Sequence, residues 1–160
     1  MTNDILDLAT RVGQALEAKG LLMATAESCT GGGIAYFITE IPGSGDWFDC
    51  GFVTYSNAAK TEMLDVPAAV IAQFGAVSEE VAAAMAEGAV ANSNAHVAVS
   101  TTGIAGPTGA VPGKPVGTVC FGWSKDGVTH TERIVFPGDR HEVRLRTVAH
   151  ALSGMLRFLE

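Results

Sequence analysis

Apolar residues recur along this chain with two different spacings, and these divide it into predicted helices and strands. Between residues 4 and 19 they stand three and four positions apart, which predicts an amphipathic helix that ends at Gly20. Five further helices are predicted: from Ile34 onward, over 57–64, 67–74 and 78–91, and from Gly138-Asp139 almost to the last residue.

Short runs rich in apolar and β-branched residues lie between these helices and predict strands at 21–26, 48–55, 95–101, 116–123 and 128–136. Lys125-Asp126-Gly127 separates the last two runs, a sequence typical of a tight β-hairpin. Because helices and strands alternate early and the hairpin comes late, we predict an α/β fold for residues 1–160. The expected architecture is a single-domain, three-layer α/β/α sandwich with a mixed, mainly parallel sheet and helices on both faces.

Composition and charge narrow the class of protein. The chain has 160 residues, of which 48% are hydrophobic and 17% charged, so a disordered chain is excluded. Ten Lys and Arg stand against 17 Asp and Glu, a net charge of −7 that disfavours nucleic acid as a partner. An anionic small molecule fits better, because a helix N-terminus and one or two arginines hold a phosphate locally.

Three cysteines, an odd number without CxxC spacing, indicate free thiols and a reducing compartment. No apolar run approaches the roughly 20 residues of a membrane span, and the N-terminus lacks the pattern of a signal peptide. We therefore predict a cytoplasmic protein without a membrane partner. The four histidines show no metal-ligand spacing, so neither a metal nor a cofactor is expected.

The first segment that could carry chemistry is Ala26–Gly33, where a strand passes through a glycine-rich turn into a helix. Ser28 is expected just beyond the strand, where ligands bind in open α/β sheets and free N–H groups stabilise an oxyanion or phosphate. Thr30, Gly31 and Gly32 are the candidate substrate-binding residues of this turn. The alternative is that Ser28 or Thr30 only caps the helix. Cys29 competes as nucleophile, but a small core residue is the better interpretation because no histidine base lies in the neighbouring candidate loops.

The second segment is Val53–Lys60. Tyr55 would end the second strand and Lys60 would lie in the first turns of the next helix. If that strand pairs with the first, both side chains converge on Ser28, and a partly desolvated lysine acts as general base to a serine. The alternative is a solvated lysine on a helix, and spacing alone does not decide between the two.

Two further features offer places for an anion. One is the glycine-rich loop after the third predicted strand. Its hydroxyls and backbone amides could form an anion-binding nest, and the alternative is a plain surface loop. The candidate binding residues of this loop are Thr102, Gly103, Ala105 and Gly106. The other is Arg140 and Arg144, which stand one turn apart at the start of the last helix. Arginine is the usual clamp for phosphate or carboxylate, although a solvated helix face would show the same spacing.

Taken together, Ala26–Gly32, Thr54–Lys60 and Thr102–Pro107 resemble the signature blocks of the CinA C-terminal domain family, with similarity from about residue 4 to 158. The resemblance implies an amidase that hydrolyses nicotinamide mononucleotide to nicotinate mononucleotide and ammonia in pyridine nucleotide salvage. It maps the nucleophilic serine onto Ser28, the lysine base onto Lys60 and a family tyrosine onto Tyr55. It also implies a homodimer and a small nucleotide as substrate.

Three other functions remain alternatives. The chain could be a sensor that binds pyridine nucleotides without turnover, or a Ser-Lys amidase for a different amide. An interaction protein linked to DNA uptake or repair is suggested by the family's competence-related name, but the acidic charge balance gives it no physical support.

Overall fold

A five-stranded sheet forms the middle layer of the computed structural model, which describes residues 1–160. The elements in chain order are α1 (Thr2–Lys19), β1 (Met23–Glu27), α2 (Gly33–Thr39), a 3-10 turn (Ser44–Asp46), β2 (Phe48–Val53), α3 (Asn57–Leu64), α4 (Ala68–Phe74), α5 (Glu79–Ala91), β3 (Val97–Gly103), β4 (Thr118–Lys125), β5 (Val128–Val135) and α6 (Arg140–Phe158). All the predicted helices and strands are present. No helix combines the length and the apolar character needed to cross a membrane.

The strands lie in the order β2-β1-β3-β4-β5. β1 pairs in parallel with both β2 and β3, whereas β3–β4 and β4–β5 are antiparallel. The mixed sheet and the late hairpin are therefore confirmed, but the sheet is not mainly parallel, because two of its four strand pairings are antiparallel. The hairpin turns on Asp126 and Gly127, both with positive φ, as a two-residue turn between twisted strands requires.

Helices cover both faces of the sheet, which confirms the three layers. On one face α1, α2 and α6 pack in a hydrophobic cluster that includes Ile5, Ile34, Trp123 and Met155. On the other face α3, α4 and α5 pack in a second cluster around Leu64 and Met85. All five residues of β1 are buried, because this strand is covered on both sides.

The parallel pairing brings the carboxyl ends of β1, β2 and β3 to the same edge of the sheet. Glu27 at the end of β1 stands opposite Val53 of β2 and Thr101 of β3. The pairing continues beyond the strands, since Thr54 N donates to Glu27 O at 2.8 Å and Ser28 N donates to Thr101 O at 3.0 Å. Three of the segments singled out in the sequence therefore meet at this edge.

The predicted boundaries differ from the observed ones by a few residues. β2 ends at Val53 rather than Tyr55, because Ser56 already caps α3 by accepting a hydrogen bond from Ala59 N. β3 begins at Val97 and continues to Gly103, and so extends into the predicted loop.

Candidate active site

Ser28 follows the last residue of β1 and begins the turn that leads into α2. The turn is closed by a hydrogen bond from Gly31 N to Ser28 O at 3.0 Å. Gly31 and Gly32 both have positive φ, a backbone conformation that residues with a side chain rarely adopt. These two glycines therefore allow the chain to leave the strand and enter the helix within five residues.

Lys60 reaches Ser28 from α3. Its Nζ lies 3.1 Å from Ser28 Oγ, and the side chain is only 1% exposed. Nζ also donates to the backbone carbonyls of Thr54 at 2.9 Å and of Tyr55 at 3.1 Å. Lys60 is thus not a solvated helix residue, and no carboxylate pairs with it.

Burial lowers the pKa of the Lys60 amine below its usual value. The neutral amine has two N–H donors and one lone pair. Since the carbonyls of Thr54 and Tyr55 accept the two N–H groups, the lone pair is left for Ser28 Oγ. This arrangement suits a lysine that takes a proton from a serine.

Tyr55 contributes to the site in two ways. Its carbonyl holds Lys60 and is also 3.5 Å from Ser28 Oγ, while its ring is 63% exposed. The Tyr55 hydroxyl accepts a hydrogen bond of 3.4 Å from Arg140. Arg140 also donates to the carbonyl of Gly106 at 2.8 Å, which connects the start of α6 to the glycine-rich loop.

A cleft of about 250 Å³ contains this group of residues, and its lining side chains and backbone come from five segments: Ser28, Cys29, Tyr55, Asn57, Lys60, Ala76, Val77, Thr102, Gly103, Ala105 and Arg140. Thr102 is held by donating to Ala76 O at 2.8 Å. The sequence analysis gave no role to Asn57, Ala76 or Val77. Of the three, Asn57 lies inside the quoted block Thr54–Lys60, which could have suggested a role for it.

Arg144 does not line the cleft, although it lies one turn from Arg140. Its guanidinium donates to two backbone carbonyls of the turn, Cys29 O at 3.1 Å and Thr30 O at 3.2 Å. The two arginines that the sequence could not tell apart therefore differ: Arg140 faces the cleft and Arg144 holds the turn from behind.

The candidate binding residues of the turn do not line the cleft. The Thr30 hydroxyl is buried and lies 2.5 Å from Glu27 Oε1 and 2.9 Å from Thr101 Oγ1, so it is used within the protein. Gly31 and Gly32 lie beside Arg144 and Val53 and do not line the cleft. Of the side chains in this turn, Ser28 and Cys29 are the ones that line it.

Cys29 is buried and belongs to the hydrophobic cluster between α2 and α6. Burial, with the charge of Glu27 as the second cause, raises the pKa of its thiol to about 12. A thiol with that pKa is protonated at neutral pH and is a poor nucleophile. The interpretation of Cys29 as a small core residue agrees with this environment.

Other parts of the surface lack such a combination of groups. A larger groove of about 550 Å³ lies between α4 and α5, but the polar groups on its rim are the carboxylates of Asp65, Glu80 and Glu87. It holds no serine, cysteine, lysine or histidine, so it lacks a pair like Ser28 and Lys60. No three His, Cys, Asp or Glu side chains lie together in an arrangement that could hold a metal ion.

Comparison with known proteins finds relatives along nearly the whole chain. The model of the family described as "CinA C-terminal domain" matches residues 5–159. The "Nicotinamide-nucleotide amidohydrolase PncC" of Pseudomonas putida is 52% identical over 153 residues, covering 96% of each chain. The protein of the same name from Escherichia coli K12 is 50% identical over 96% of this chain and 93% of its own.

Two further relatives extend the comparison. A putative competence-damage inducible protein of Symbiobacterium thermophilum is 48% identical, but this chain covers only 38% of its length. The crystal structure of the competence/damage inducible protein CihA from Agrobacterium tumefaciens superposes with a TM-score of 0.93 at 46% identity, covering 98% of this chain and 95% of the other. The chain belongs to the CinA C-terminal domain family.

Proposed function

We propose that this chain is a nicotinamide-nucleotide amidase, which hydrolyses the carboxamide of nicotinamide mononucleotide to nicotinate mononucleotide and ammonia in NAD salvage. The observation that carries the proposal is the 3.1 Å approach of Lys60 Nζ to Ser28 Oγ inside a cleft. About half of the residues are shared with relatives named nicotinamide-nucleotide amidohydrolases, along nearly their whole length. The sequence identity to these relatives is the reason for proposing this substrate. The geometry of Lys60 and Ser28 supports a Ser-Lys mechanism.

In the first step, neutral Lys60 removes the proton of Ser28 Oγ, and the oxygen attacks the carboxamide carbon. Burial favours this step, because it lowers the pKa of Lys60 and so supplies the neutral amine. Two carbonyl acceptors fix the amine, so that it stays within reach of the hydroxyl throughout the transfer.

The tetrahedral intermediate carries an oxyanion, and the turn after Ser28 offers N–H groups to stabilise it. The N–H groups of Cys29 and Thr30 donate to no backbone carbonyl. Arg144 holds the carbonyl of Cys29, and the N–H of the same peptide unit, that of Thr30, points the opposite way. Loss of one such donor typically slows acyl transfer about 100–1,000-fold.

Collapse of the intermediate breaks the carbon–nitrogen bond. Protonated Lys60 gives its proton to the departing nitrogen, ammonia leaves, and Ser28 remains acylated by the nicotinate group. Water then attacks the acyl carbon, with Lys60 again taking the proton and returning it to Ser28 Oγ. The cycle releases nicotinate mononucleotide and restores both side chains.

We assign the 5′-phosphate to Arg140 rather than Arg144. Arg140 is exposed and lines the cleft, whereas the Arg144 guanidinium is already committed to two carbonyls. The exposed ring of Tyr55, beside Arg140, is placed to cover the pyridine or ribose. Thr102, Gly103 and Ala105 complete the wall of the binding site.

We further propose that residues 1–160 act as one CinA C-terminal-like amidase domain that works as a cytoplasmic homodimer. Its three cysteines are free thiols, as in proteins of a reducing compartment. Tyr36, Val53 and Tyr55 are exposed apolar side chains around the edge strand β2, where a second copy could pack. Sedimentation equilibrium gives the mass in solution, and a monomer mass would overturn the dimer.

The decisive experiment measures ammonia release from nicotinamide mononucleotide by metal-free protein, with Ser28→Ala beside it. Release by the parent and none by the variant establishes both the reaction and the nucleophile. Release by both would keep the reaction and remove Ser28 from it. A folded parent that binds the nucleotide without releasing ammonia would be a sensor and not an amidase.

A further inference from the structure

Glu27 is a buried acid that the proposed reaction does not use. It is the last residue of β1, directly before Ser28, and it is fully buried. No lysine, arginine or histidine forms an ion pair with it. A buried carboxylate without a cation is costly, so polar contacts must compensate for its lost hydration.

Those contacts come from the start of α2. Ile34 N donates to Glu27 Oε1 at 2.9 Å and Ala35 N donates to Oε2 at 3.1 Å. The residue at the local N-cap position, Gly32, has no side chain to offer. Glu27 therefore caps α2 from the end of the preceding strand, with its carboxyl group at the positive end of the helix. Burial raises the pKa of this carboxyl, and its hydrogen bonds oppose that rise.

The same carboxylate also holds the middle of the turn. The Thr30 hydroxyl lies 2.5 Å from Glu27 Oε1 and 2.9 Å from the hydroxyl of Thr101. The Glu27 side chain thus contacts Thr30 in the turn and the first residues of α2, and the Glu27 backbone directly precedes the turn. The position of Ser28 is restricted from both sides.

The backbone of Glu27 connects this turn to the lysine. Glu27 O accepts the hydrogen bond from Thr54 N at 2.8 Å, and Thr54 O in turn accepts from Lys60 Nζ at 2.9 Å. The end of β1 therefore fixes both the strand end that holds the base and the turn that carries the nucleophile.

We propose that Glu27 is a positioning residue for the amidase reaction: its buried carboxylate ties the turn 28–32 to α2 and keeps Ser28 Oγ within reach of Lys60 Nζ. This rests on the proposed function of that pair. Since a misplacement of 1 Å can cost about 100-fold in rate, we expect loss of the carboxylate to lower kcat by about 10- to 100-fold. KM changes little, because Glu27 does not line the cleft.

The test compares Glu27→Gln with Glu62→Gln, the same chemical change at an exposed position of α3. Glutamine keeps the size of the side chain but replaces one acceptor oxygen by an NH₂ group facing the same donors. We expect a large fall in kcat for Glu27→Gln only, with both variants folded by circular dichroism. A kcat equal to that of Glu62→Gln, or a loss confined to KM, would overturn the proposal.

A second readout does not depend on turnover. Cys29 lies in the turn, and its thiol is protected by burial and by the charge of Glu27. We expect Thr30→Val, which loses the contact with Glu27 but keeps its carboxylate, to speed the alkylation of Cys29 by iodoacetamide relative to Thr30→Ser, measured by mass spectrometry of the labelled peptide. Unchanged labelling would contradict a loosened turn. Because this readout needs no substrate, it separates failure of the positioning role from failure of the amidase assignment, which would appear as an inactive parent.

If Glu27→Gln does not fold, Thr30 provides the same test. Thr30→Val keeps the shape of the side chain but loses the hydroxyl that contacts Glu27, whereas Thr30→Ser retains it. We expect Thr30→Val to lose more kcat than Thr30→Ser. Equal losses in the two variants would show that the hydroxyl–carboxylate contact does not position the nucleophile.

Discussion

Lys60 Nζ lies 3.1 Å from Ser28 Oγ, although the two residues are 32 positions apart in the chain. The parallel pairing of β1 with β2 produces this contact, since it places the turn after β1 beside the start of α3. The contact lies at the carboxyl edge of the sheet, where open α/β proteins bind their ligands.

Ser28→Ala should lower turnover at least about 1,000-fold while the protein still binds the nucleotide, because the variant lacks the attacking oxygen. Steady-state ammonia release and calorimetric binding measure the two properties. Cys29→Ala is the neighbouring control and should retain turnover. Loss of activity in Cys29→Ala with activity retained in Ser28→Ala would make Cys29 the nucleophile.

The rate should depend on pH through Lys60. Burial lowers the pKa of this amine, and the reaction needs its neutral form. We therefore expect kcat/KM to rise about tenfold per pH unit on the acidic side and to level off above the lowered pKa, measured between about pH 6 and about pH 10. A rate that falls as pH rises through this range would contradict a lysine base.

Lys60→Arg tests the same base in a different way. Arginine carries the same charge as a protonated lysine but does not lose its proton in proteins, so turnover should be abolished at every pH in that range. Circular dichroism checks that the buried site tolerates the larger side chain. Retention of even a tenth of the parent rate by folded protein would remove Lys60 from the mechanism.

Arg140→Ala and Arg144→Ala should affect different kinetic constants, the first KM and the second kcat. Arg140 lines the cleft, so its loss should raise KM for the nucleotide about 10- to 100-fold and for the corresponding riboside much less, because the riboside lacks the phosphate. Arg144 holds two carbonyls of the turn, so its loss should mainly lower kcat. Equal effects of Arg140→Ala on both substrates would refute the phosphate assignment.

Gly154→Ala should destabilise the protein by about 1–3 kcal/mol, although alanine usually favours a helix over glycine. A Cβ at this position of α6 would overlap the indole ring of Trp123, whose Nε1 donates to Ala151 O at 3.1 Å. Thermal unfolding measures the change. Gly45→Ala, where a Cβ meets nothing within 4 Å, is the control and should leave the melting temperature nearly unchanged.

Several parts of the site were accessible from the sequence, and others were not. Ser28 could be singled out because it follows a strand and precedes a glycine-rich turn. Lys60 could be singled out because it lies in the first turns of the helix after the second strand. Glu27 gave no signal, because its place directly before Ser28 in a strand does not reveal that its carboxylate turns back to α2. The sequence also did not reveal that the Thr30 hydroxyl contacts Glu27 and Thr101 instead of facing the cleft.

The sequence by itself determined the elements and their order, because periodicity, caps and turn residues act over a few neighbouring positions. It also determined the family, since three motifs stand in order along the chain. Only the tertiary structure decided which arginine faces the cleft and which holds the turn. Residues four apart share a helix face, so the sequence alone does not distinguish the two arginines. They differ because the strands and loops place different groups opposite each guanidinium.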